Sequence, residues 1–467
     1  MKPPDPARHL AWEVLRAVEA RDAYANLILP RLLRERRLSA RDAALATELS
    51  YGTLRAQGTL DAVLQPSSNR PLDEVDAPLR AVLRLGAYQL LRTRIPPHAA
   101  VSATIDLARA VAGEGSAKFA NAVLRSTLRR LDAAGDDEAA RVGAPRWDDD
   151  PVGRLSLLHA HPRWVVEVFR DALGGDLEET GRALAADDAR PLTHLVARGS
   201  SRAELLAEAH AVGLRESTAG PWSPRAVHLD GGDPGRLPSV RDGRAAVQDE
   251  GSQLVALALA SAAPGGGVTL DSCAGPGGKA ALLAAALPEA CTVAVELQPH
   301  RAVLVRRALP VGALTVVGDG SALPLRPGSA ERVLVDAPCS GLGALRRRPE
   351  ARWRRTPADV AGLGALQRAL LAAALDAVRP GGVVAYVTCS PHLAETRDVV
   401  RDVLSGHCDV EHRDVEHRDV EPLDAEPLDA RAHLPAGMPD LGAGPAVQLW
   451  PHRHGTDAMH LALLRRR

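Results

Sequence analysis

The spacing of apolar residues changes near residue 246. Before that point, apolar positions recur mostly every three or four residues, the period of an amphipathic helix. SARDAALATELSYGTLR (39–55) opens on a Ser39…Asp42 capping spacing and continues in that period. DAPLRAVLRLGAYQLL (76–91) starts on Asp76, with a proline in its first turn. HAAVSATIDLARAVA (98–112) and KFANAVLRSTLRRL (118–131) follow. Residues 1–132 are therefore predicted to form a compact all-helical domain. The acidic stretch 133–150 contains Gly and Pro and reads as a linker. Residues 151–245 mix the two periods. LVARGSSRAELLAEAHAVGL predicts a strand, a loop and a helix, and AVHLDG a further strand, so a small α+β module is expected.

From 246 to 467 short β-branched runs alternate with helical stretches. Strands are expected over VTLDSC (268–273), CTVAVE (291–296), ALTVV (313–317), ERVLVD (331–336) and VVAYVT (383–388). Helical segments such as KAALLAAALP and ALQRALLAAALDAV lie between most of them. This alternation predicts an open, mostly parallel, doubly wound α/β sheet, in which ligands bind beyond the carboxyl ends of the strands. The units DVEHR, DVEHR, DVEPL and DAEPL (409–428) interrupt the pattern. They have little to bury, and the segment through 430 reads as a solvated or disordered insertion.

Composition narrows the class. With 46% hydrophobic and 25% charged residues the chain is ordinary globular protein. No apolar run of 18 residues and no signal-peptide core are evident, so a cytoplasmic protein without a membrane partner is expected. Cysteines at 273, 291, 339, 389 and 408 are odd in number and not closely paired, which favours reduced thiols over a disulfide framework or a metal site. A monomer is the default expectation. The net charge of −1 conceals a basic surplus: residues 1–130 hold 20 Lys+Arg against 13 Asp+Glu, and RRRPEARWRR (346–355) holds six arginines and one glutamate. Such patches suit a polyanion, and the second is the expected grip on it. Only three of the 57 basic residues are lysines, so Lys279 marks a place where arginine does not serve.

The strand ends carry the candidate chemistry. DSCAGPGGK (271–279) closes one strand and opens a helix with a Gly-rich turn that lets backbone approach a ligand. Its spacing matches neither a Walker A loop nor the dinucleotide GxGxxG pattern. Glu296 ends the next strand, where a carboxylate can accept from ribose hydroxyls, and Asp319 ends the third, placed for an adenine edge. Together they point to a nucleoside ligand without a long phosphate tail, which S-adenosyl-L-methionine fits. DAPCSG (336–341) and TCS (388–390) then place Asp336, Cys339 and Cys389 just past two strands. Methylating cytosine C5 requires a thiolate that adds to C6, an acid near N3 and a group that removes the C5 proton. These residue types supply that set, although spacing alone does not say which cysteine attacks.

VQDEGSQL (247–254), DSCAGPGGK, DAPCSGLGALRRRPEARW (336–353) and YVTCS (386–390) resemble the NOL1/NOP2/Sun family of RNA cytosine-5 methyltransferases. ANLILPRLL, RDAALATELSYGTLR, LRLGAYQLL, HAAVSATIDLAR and ANAVLR are similar to the NusB-like helical domain of its bacterial Sun (RsmB-type) branch. The resemblance implies a Rossmann-like class I methyltransferase domain and small-subunit rRNA as substrate. It implies Cys389 as nucleophile, Cys339 as the cysteine that assists adduct breakdown, and Asp336 as the acid at the target base. Cofactor contacts are implied at Cys273, Ala274, Gly275, Pro276, Gly277, Gly278, Lys279, Glu296, Asp319 and Asp336. Gly275 stands where the family commonly has alanine. Two other readings are a tRNA cytosine-5 methyltransferase and a non-catalytic RNA-binding or ribosome assembly factor.

Overall fold

The computed structural model describes residues 4–21, 23–406 and 424–467. The chain divides into two compact units, Met1–Ala189 with Leu345–Arg354, and Arg190–Ala344 with Arg355–Arg467.

The first unit is helical. Helices Pro6–Arg21, Ala25–Arg36, Ala40–Arg55, Gln57–Leu64, Ala77–Arg92 and Pro97–Ala134 surround one apolar core that includes Leu10, Val14, Leu49, Leu60, Leu83 and Leu124. Ser39 caps its helix as expected, accepting from Asp42 N at 3.1 Å. Asp76 occupies the cap position of the next long helix, but its side chain makes no cap bond. The run Pro97–Ala134 is two helices joined at Gly113, whose φ of 84° interrupts the helical backbone.

The sequence-drawn boundaries differ from this division. The acidic stretch 133–150 belongs to the helical unit. Asp137 caps the short helix Glu138–Val142, whose Ala139 and Val142 are buried. Asp150 caps Pro151–Leu158 through Gly153 N at 2.9 Å. These acids serve helix N-termini, where a carboxylate satisfies free N–H groups. Two further helices, Arg163–Ala172 and Leu177–Asp188, also belong to this unit rather than to an α+β module.

Two side chains of the arginine-rich segment, Arg352 and Arg354, are engaged inside the helical unit, while Arg348 is exposed. Residues 345–354 join the helical unit, and Arg352 is fully buried there. Its guanidinium donates to Arg55 O (3.2 Å), His159 O (3.3 Å), Ala160 O (3.3 Å) and Asp187 O (3.0 Å), and pairs with Asp188 at 2.7 Å. Those acceptors lie at the C-terminal ends of three helices, Ala40–Arg55, Pro151–Leu158 and Leu177–Asp188. Helix C-termini carry unsatisfied carbonyls and partial negative charge, and a five-donor fork answers both. Arg354 does the same for Val18 O (2.7 Å) and Ala23 O (2.6 Å) around the end of Pro6–Arg21. The two side chains hold helix ends together and are not available as phosphate grips.

The second unit contains two sheets. Strands β1 (Thr193–Ala197), β2 (Thr218–Ala219), β3 (Ala226–Leu229) and β4 (Ala245–Val247) form a small antiparallel sheet in the order β2-β3-β1-β4. Strands β5 (Gly267–Asp271), β6 (Ala290–Glu296), β7 (Leu314–Val317), β8 (Ala330–Asp336), β9 (Val378–Thr388), β10 (Ala425–Leu428), β11 (Val447–Gln448) and β12 (His460–Arg466) form the large one. Its order is β10-β12-β9-β8-β5-β6-β7, with β11 paired to β12. The strands from β5 to β9 run parallel, while β10, β11 and β12 pair antiparallel. All five predicted strands are present, within a mostly parallel Rossmann-like sheet. The order reverses between β5 and β8, the crevice where such sheets bind ligands.

Both faces of this sheet are apolar. Val333, Val335, Val384 and Tyr386 pack with the helix Pro357–Ala377. Leu334, Val383, Ala385 and Val387 pack with Leu254, Val255 and Leu259 of the helix Glu250–Ala262. Coverage on both faces explains the near-continuous hydrophobic strands. It also explains Pro357–Ala377, which by length and composition alone could cross a membrane (mean hydropathy 1.3), despite the sequence expectation of no such stretch. Leu370, Leu371, Ala374 and Leu375 of that helix are buried in the core. The last repeat unit is not a loose insertion either: its Ala425–Leu428 pairs with β12. The preceding units and Cys408 lie outside the described residues.

Arg352→Ala should destabilise the helical unit by roughly 3 kcal/mol, because it strips the buried partner from several carbonyls and from Asp188. Urea unfolding measures this. An unchanged midpoint together with a shallower salt dependence of RNA binding would instead restore the phosphate-grip reading.

Candidate active site

Every residue singled out for chemistry lies in the second unit, at the carboxyl ends of β5, β6, β7, β8 and β9. After β5 the chain turns through Ser272–Gly277 into the helix Gly278–Ala286. Gly277 has φ 104°, and a Cβ there would lie 2.9 Å from Ala308 Cβ and 3.0 Å from Val305 Cα, so the turn requires glycine.

Glu296, at the end of β6, is buried. It accepts from Gly275 N and Gln298 N, each at 2.9 Å. Arg301 donates to Gly275 O at 2.6 Å from the other side. A Cβ on residue 275 would lie 2.1 Å from Glu296 Oε2. Glycine at this position and the folding of the carboxylate onto the loop therefore go together. An alanine would force that side chain aside. Leu297, the next residue, is 59% exposed, an apolar side chain left in solvent at a strand end. Asp319, beyond β7, is exposed and accepts from Ser321 N (2.8 Å) and Ser321 Oγ (2.7 Å).

Lys279 Nζ pairs with Asp336 Oδ2 at 2.7 Å, bringing the first turn of the helix after β5 to the end of β8. Burial favours the neutral amine, but Asp336 and the nearby Cys389 sulfur outweigh it and hold Lys279 above its ordinary value. Asp271 lies beneath this pair. Burial, with the charge of Asp336, pushes its carboxyl up to about 7, against the opposing effect of Lys279. Burial and the same two carboxylates push the Cys273 thiol far up, so it stays protonated and inert.

The two other cysteines meet. Cys339 follows β8, Cys389 follows β9, and their sulfurs are 3.4 Å apart. The hydrogen bond to Cys389, burial and the charges of Cys389 and Glu395 raise the Cys339 thiol well above its ordinary value. Two thiols this close do not both ionise, and burial with the neighbouring charges keeps Cys339 protonated.

Several contributing residues carried no clear signal in the sequence. Ser340 and Ser390 each follow a cysteine, and both hydroxyls donate to the buried Glu395. Gln367 Nε2 donates to Pro338 O (2.8 Å) and Glu395 (3.3 Å). The repeated Cys-Ser pair was visible; nothing in the polar segment around Glu395 marked it as internal. A separate cluster in the small sheet, His194, His228 and Glu250, has its ligand-type atoms within 4.8 Å of one another. Both Glu250 oxygens already have donors of the chain: Trp222 N (2.9 Å) and Ser223 N (2.6 Å) on Oε1, His228 Nε2 (2.8 Å) on Oε2.

Comparison with known proteins matches this arrangement to a family. Residues 258–465 match the model described as 16S rRNA methyltransferase RsmB/F, and residues 5–129 match the NusB family. A Pseudomonas syringae ribosomal RNA small subunit methyltransferase B is 33% identical over 406 residues, covering 85% of this chain and 86% of the relative. The chain belongs to the RsmB/F methyltransferase family. Its Bacillus subtilis relative, named as a probable ribosomal RNA small subunit methyltransferase B, is 31% identical and covers 98% of both chains. A Mycobacterium tuberculosis chain with a provisional methyltransferase name is 54% identical, over 100% of this chain and 97% of its own length. Among solved structures, a methyltransferase homolog protein from Pyrococcus horikoshii aligns with TM-score 0.52 at 22% identity, over 67% of this chain and 98% of that one. Another aligns over 100% of both chains with TM-score 0.79 at 20% identity. These two share the fold of this RsmB/F member.

The state of Asp271 gives a pH dependence. Between 3.8, its ordinary value, and about 7, the unfolded chain has lost this proton and the folded chain keeps it. Wild-type stability on this account falls as pH rises through that window and is flat above it. Asp271→Asn lacks this slope. Its unfolding free energy should gain on wild type by about 4 kcal/mol across the window. Urea titrations at a series of pH values measure the difference, and parallel profiles would refute the assignment.

Proposed function

We propose that this protein methylates C5 of a cytosine in small-subunit rRNA, using S-adenosyl-L-methionine and a covalent link between Cys389 and C6 of the base. The observation that carries the reading is the thiol pair, 3.4 Å apart, beside the Lys279–Asp336 ion pair at the ends of adjacent parallel strands. Its relatives' names support the rRNA substrate, and the NusB-family match over 5–129 supports an RNA-binding helical domain.

The residues present fit the methyl donor. Glu296 keeps lone pairs beyond its two backbone donors, as a ribose requires. Exposed Leu297 offers an apolar surface to a purine, and Asp319 an acceptor at its edge. Residues 273–279 supply the close-approach loop. When bound, the cofactor supplies an electrophilic methyl group.

The rest is the work of side chains. Lys279 stabilises negative charge on Cys389, whose sulfur adds to C6 of the extruded base. Asp336 relays a proton from Lys279 to N3 as the electron pair moves into the ring, and takes it back when C5 is methylated. C5, now electron-rich, takes the methyl group. Once Cys389 is bonded to carbon, its charge no longer suppresses ionisation of Cys339, which gives its proton to water. Cys339 then takes the C5 proton, the C5–C6 double bond re-forms, and the electron pair of the C6–S bond returns to Cys389.

Covalent trapping tests this. Wild type, Cys339→Ala and Cys389→Ala are mixed with S-adenosyl-L-methionine and 16S rRNA fragments, and protein–RNA adducts are read on a denaturing gel. Cys339→Ala should accumulate an adduct and Cys389→Ala should form none, with cofactor binding nearly unchanged. An adduct lost only on removing Cys339 would reverse the roles. Adducts with tRNA and none with rRNA fragments would replace the substrate.

A further inference from the structure

Glu395 lies six residues past Cys389 and is fully buried. Its Oε2 accepts from Ser340 Oγ (2.5 Å) and Ser390 Oγ (2.6 Å), and its Oε1 from Ser340 N (2.7 Å) and Gln367 Nε2 (3.3 Å). The two serine hydroxyls also lie 3.1 Å apart. The backbone of Glu395 is fixed as well, since Tyr386 OH, from within β9, donates to its carbonyl at 2.9 Å. Every one of these partners is a neutral donor. Burying a carboxylate among neutral donors is expensive unless each lone pair is answered, and a fully answered network is rigid.

The geometry points to Glu395 as the positioning residue of the thiol pair: by gripping the serine after each cysteine, it sets the spacing of Cys339 and Cys389. The inference rests on the two-cysteine reading above. Ser340 is held through both hydroxyl and backbone N–H, so the loop after β8 cannot turn Cys339 away while these bonds stand. Ser390 is held on the same oxygen, which ties the loop after β9 to the first. Gln367, from the helix covering this face, spans Pro338 O and the carboxylate and closes the ring. Glu395 itself touches no reacting atom; it acts through the two serines. Its charge also helps keep Cys339 protonated. Replacing it by glutamine keeps an acceptor for Ser340 N and Gln367 Nε2, but it turns an amide N–H₂ on the two hydroxyls, which must reverse from donors to acceptors and give up their charge-assisted bonds, so the grip on both serines weakens.

A trivalent arsenical measures the spacing without RNA or cofactor. Phenylarsine oxide condenses with two neighbouring thiols, forming two As–S bonds and releasing one water, and binds tightly only when both sulfurs are held near each other. Wild type should bind it, with Cys339→Ala as the negative control. Glu395→Gln should weaken binding by about tenfold, through loss of preorganisation. In methylation assays its kcat should fall by about 100-fold while KM for RNA and cofactor stays within about threefold, the pattern of misplaced reacting groups. Should Glu395→Gln fail to fold by its thermal midpoint, the double variant Ser340→Ala with Ser390→Ala carries the same expectation. Arsenical affinity unchanged in a folded variant would overturn the inference, whatever methylation does. Weakened affinity, together with no RNA adduct in any variant, would uphold the spacing role and remove the cytosine chemistry.

Discussion

Two parallel strands that end level are the constraint on which the site depends. β8 and β9 pair in register from Arg332↔Val383 to Asp336↔Val387, so Asp336 and the residues after it stand opposite the end of β9. Apolar cover on both faces enforces that register, because a slip of one residue would turn each strand's core side chains to the opposite layer. Two backbone bonds continue the pairing past the strands, Ala337 N to Val387 O and Gly343 N to Cys389 O, each at 2.9 Å. The meeting of Cys339 and Cys389 is thus a consequence of sheet register before it is a matter of side-chain chemistry. Sequence distance, 50 residues, is irrelevant to it.

The same chain shows why arginine and lysine are kept for different tasks. Arg352 answers carbonyls from three helix ends and one carboxylate with a single planar fork. A lysine, with one nitrogen, could not span them. Arg332 does similar work at the other end of the large sheet, reaching Thr269 Oγ1, Gly265 O and Gly266 O. Lys279 instead presents one compact charge to Asp336 on one side and to the Cys389 sulfur on the other. Arginine is thus the usual choice where a cation supports backbone, and a lysine survives where a point charge sits between a carboxylate and a thiol.

What the sequence disclosed follows from which interactions are local. The strands from β5 to β9 and their acidic or cysteine-bearing ends were legible, since β-branched runs buried on both faces announce themselves without knowledge of neighbours. Asp271 lay in view within the Gly-rich motif, but its altered ionisation comes from Asp336, 65 positions later, and from burial that the motif does not encode. Within the arginine-rich segment, composition did not single out Arg352, because its burial depends on helix ends up to some 300 residues earlier. The acids at 137 and 150 read as linker charge because a cap is a single short-range bond that composition does not distinguish from solvation. Glu395 stayed hidden for a related reason: its partners come from the loops after β8 and β9 and from a helix, and only folding brings these together.

Besides the exposed Asp319, four acids crowd the carboxyl ends of the sheet, and each is compensated differently. Asp271 holds a proton below about pH 7, Glu296 takes two backbone N–H groups, Glu395 takes neutral donors and Asp336 takes a cation. Desolvation orders them. Asp271, Glu296 and Glu395 are buried, and their compensation is built from the chain itself. Asp336 keeps 28% of its side chain exposed, and its partner Lys279 keeps 11%. A partly solvated ion pair can be rearranged at small cost, because water screens the intermediate separation, whereas a buried carboxylate stripped of its donors loses several kcal/mol, on the order of 3 to 5. The buried acids can therefore shape the site but cannot change partners during a reaction. Of the four, Asp336 alone sits in an ion pair that water reaches, so a change of partner costs least at the end of β8 rather than at the deeper carboxylates around it.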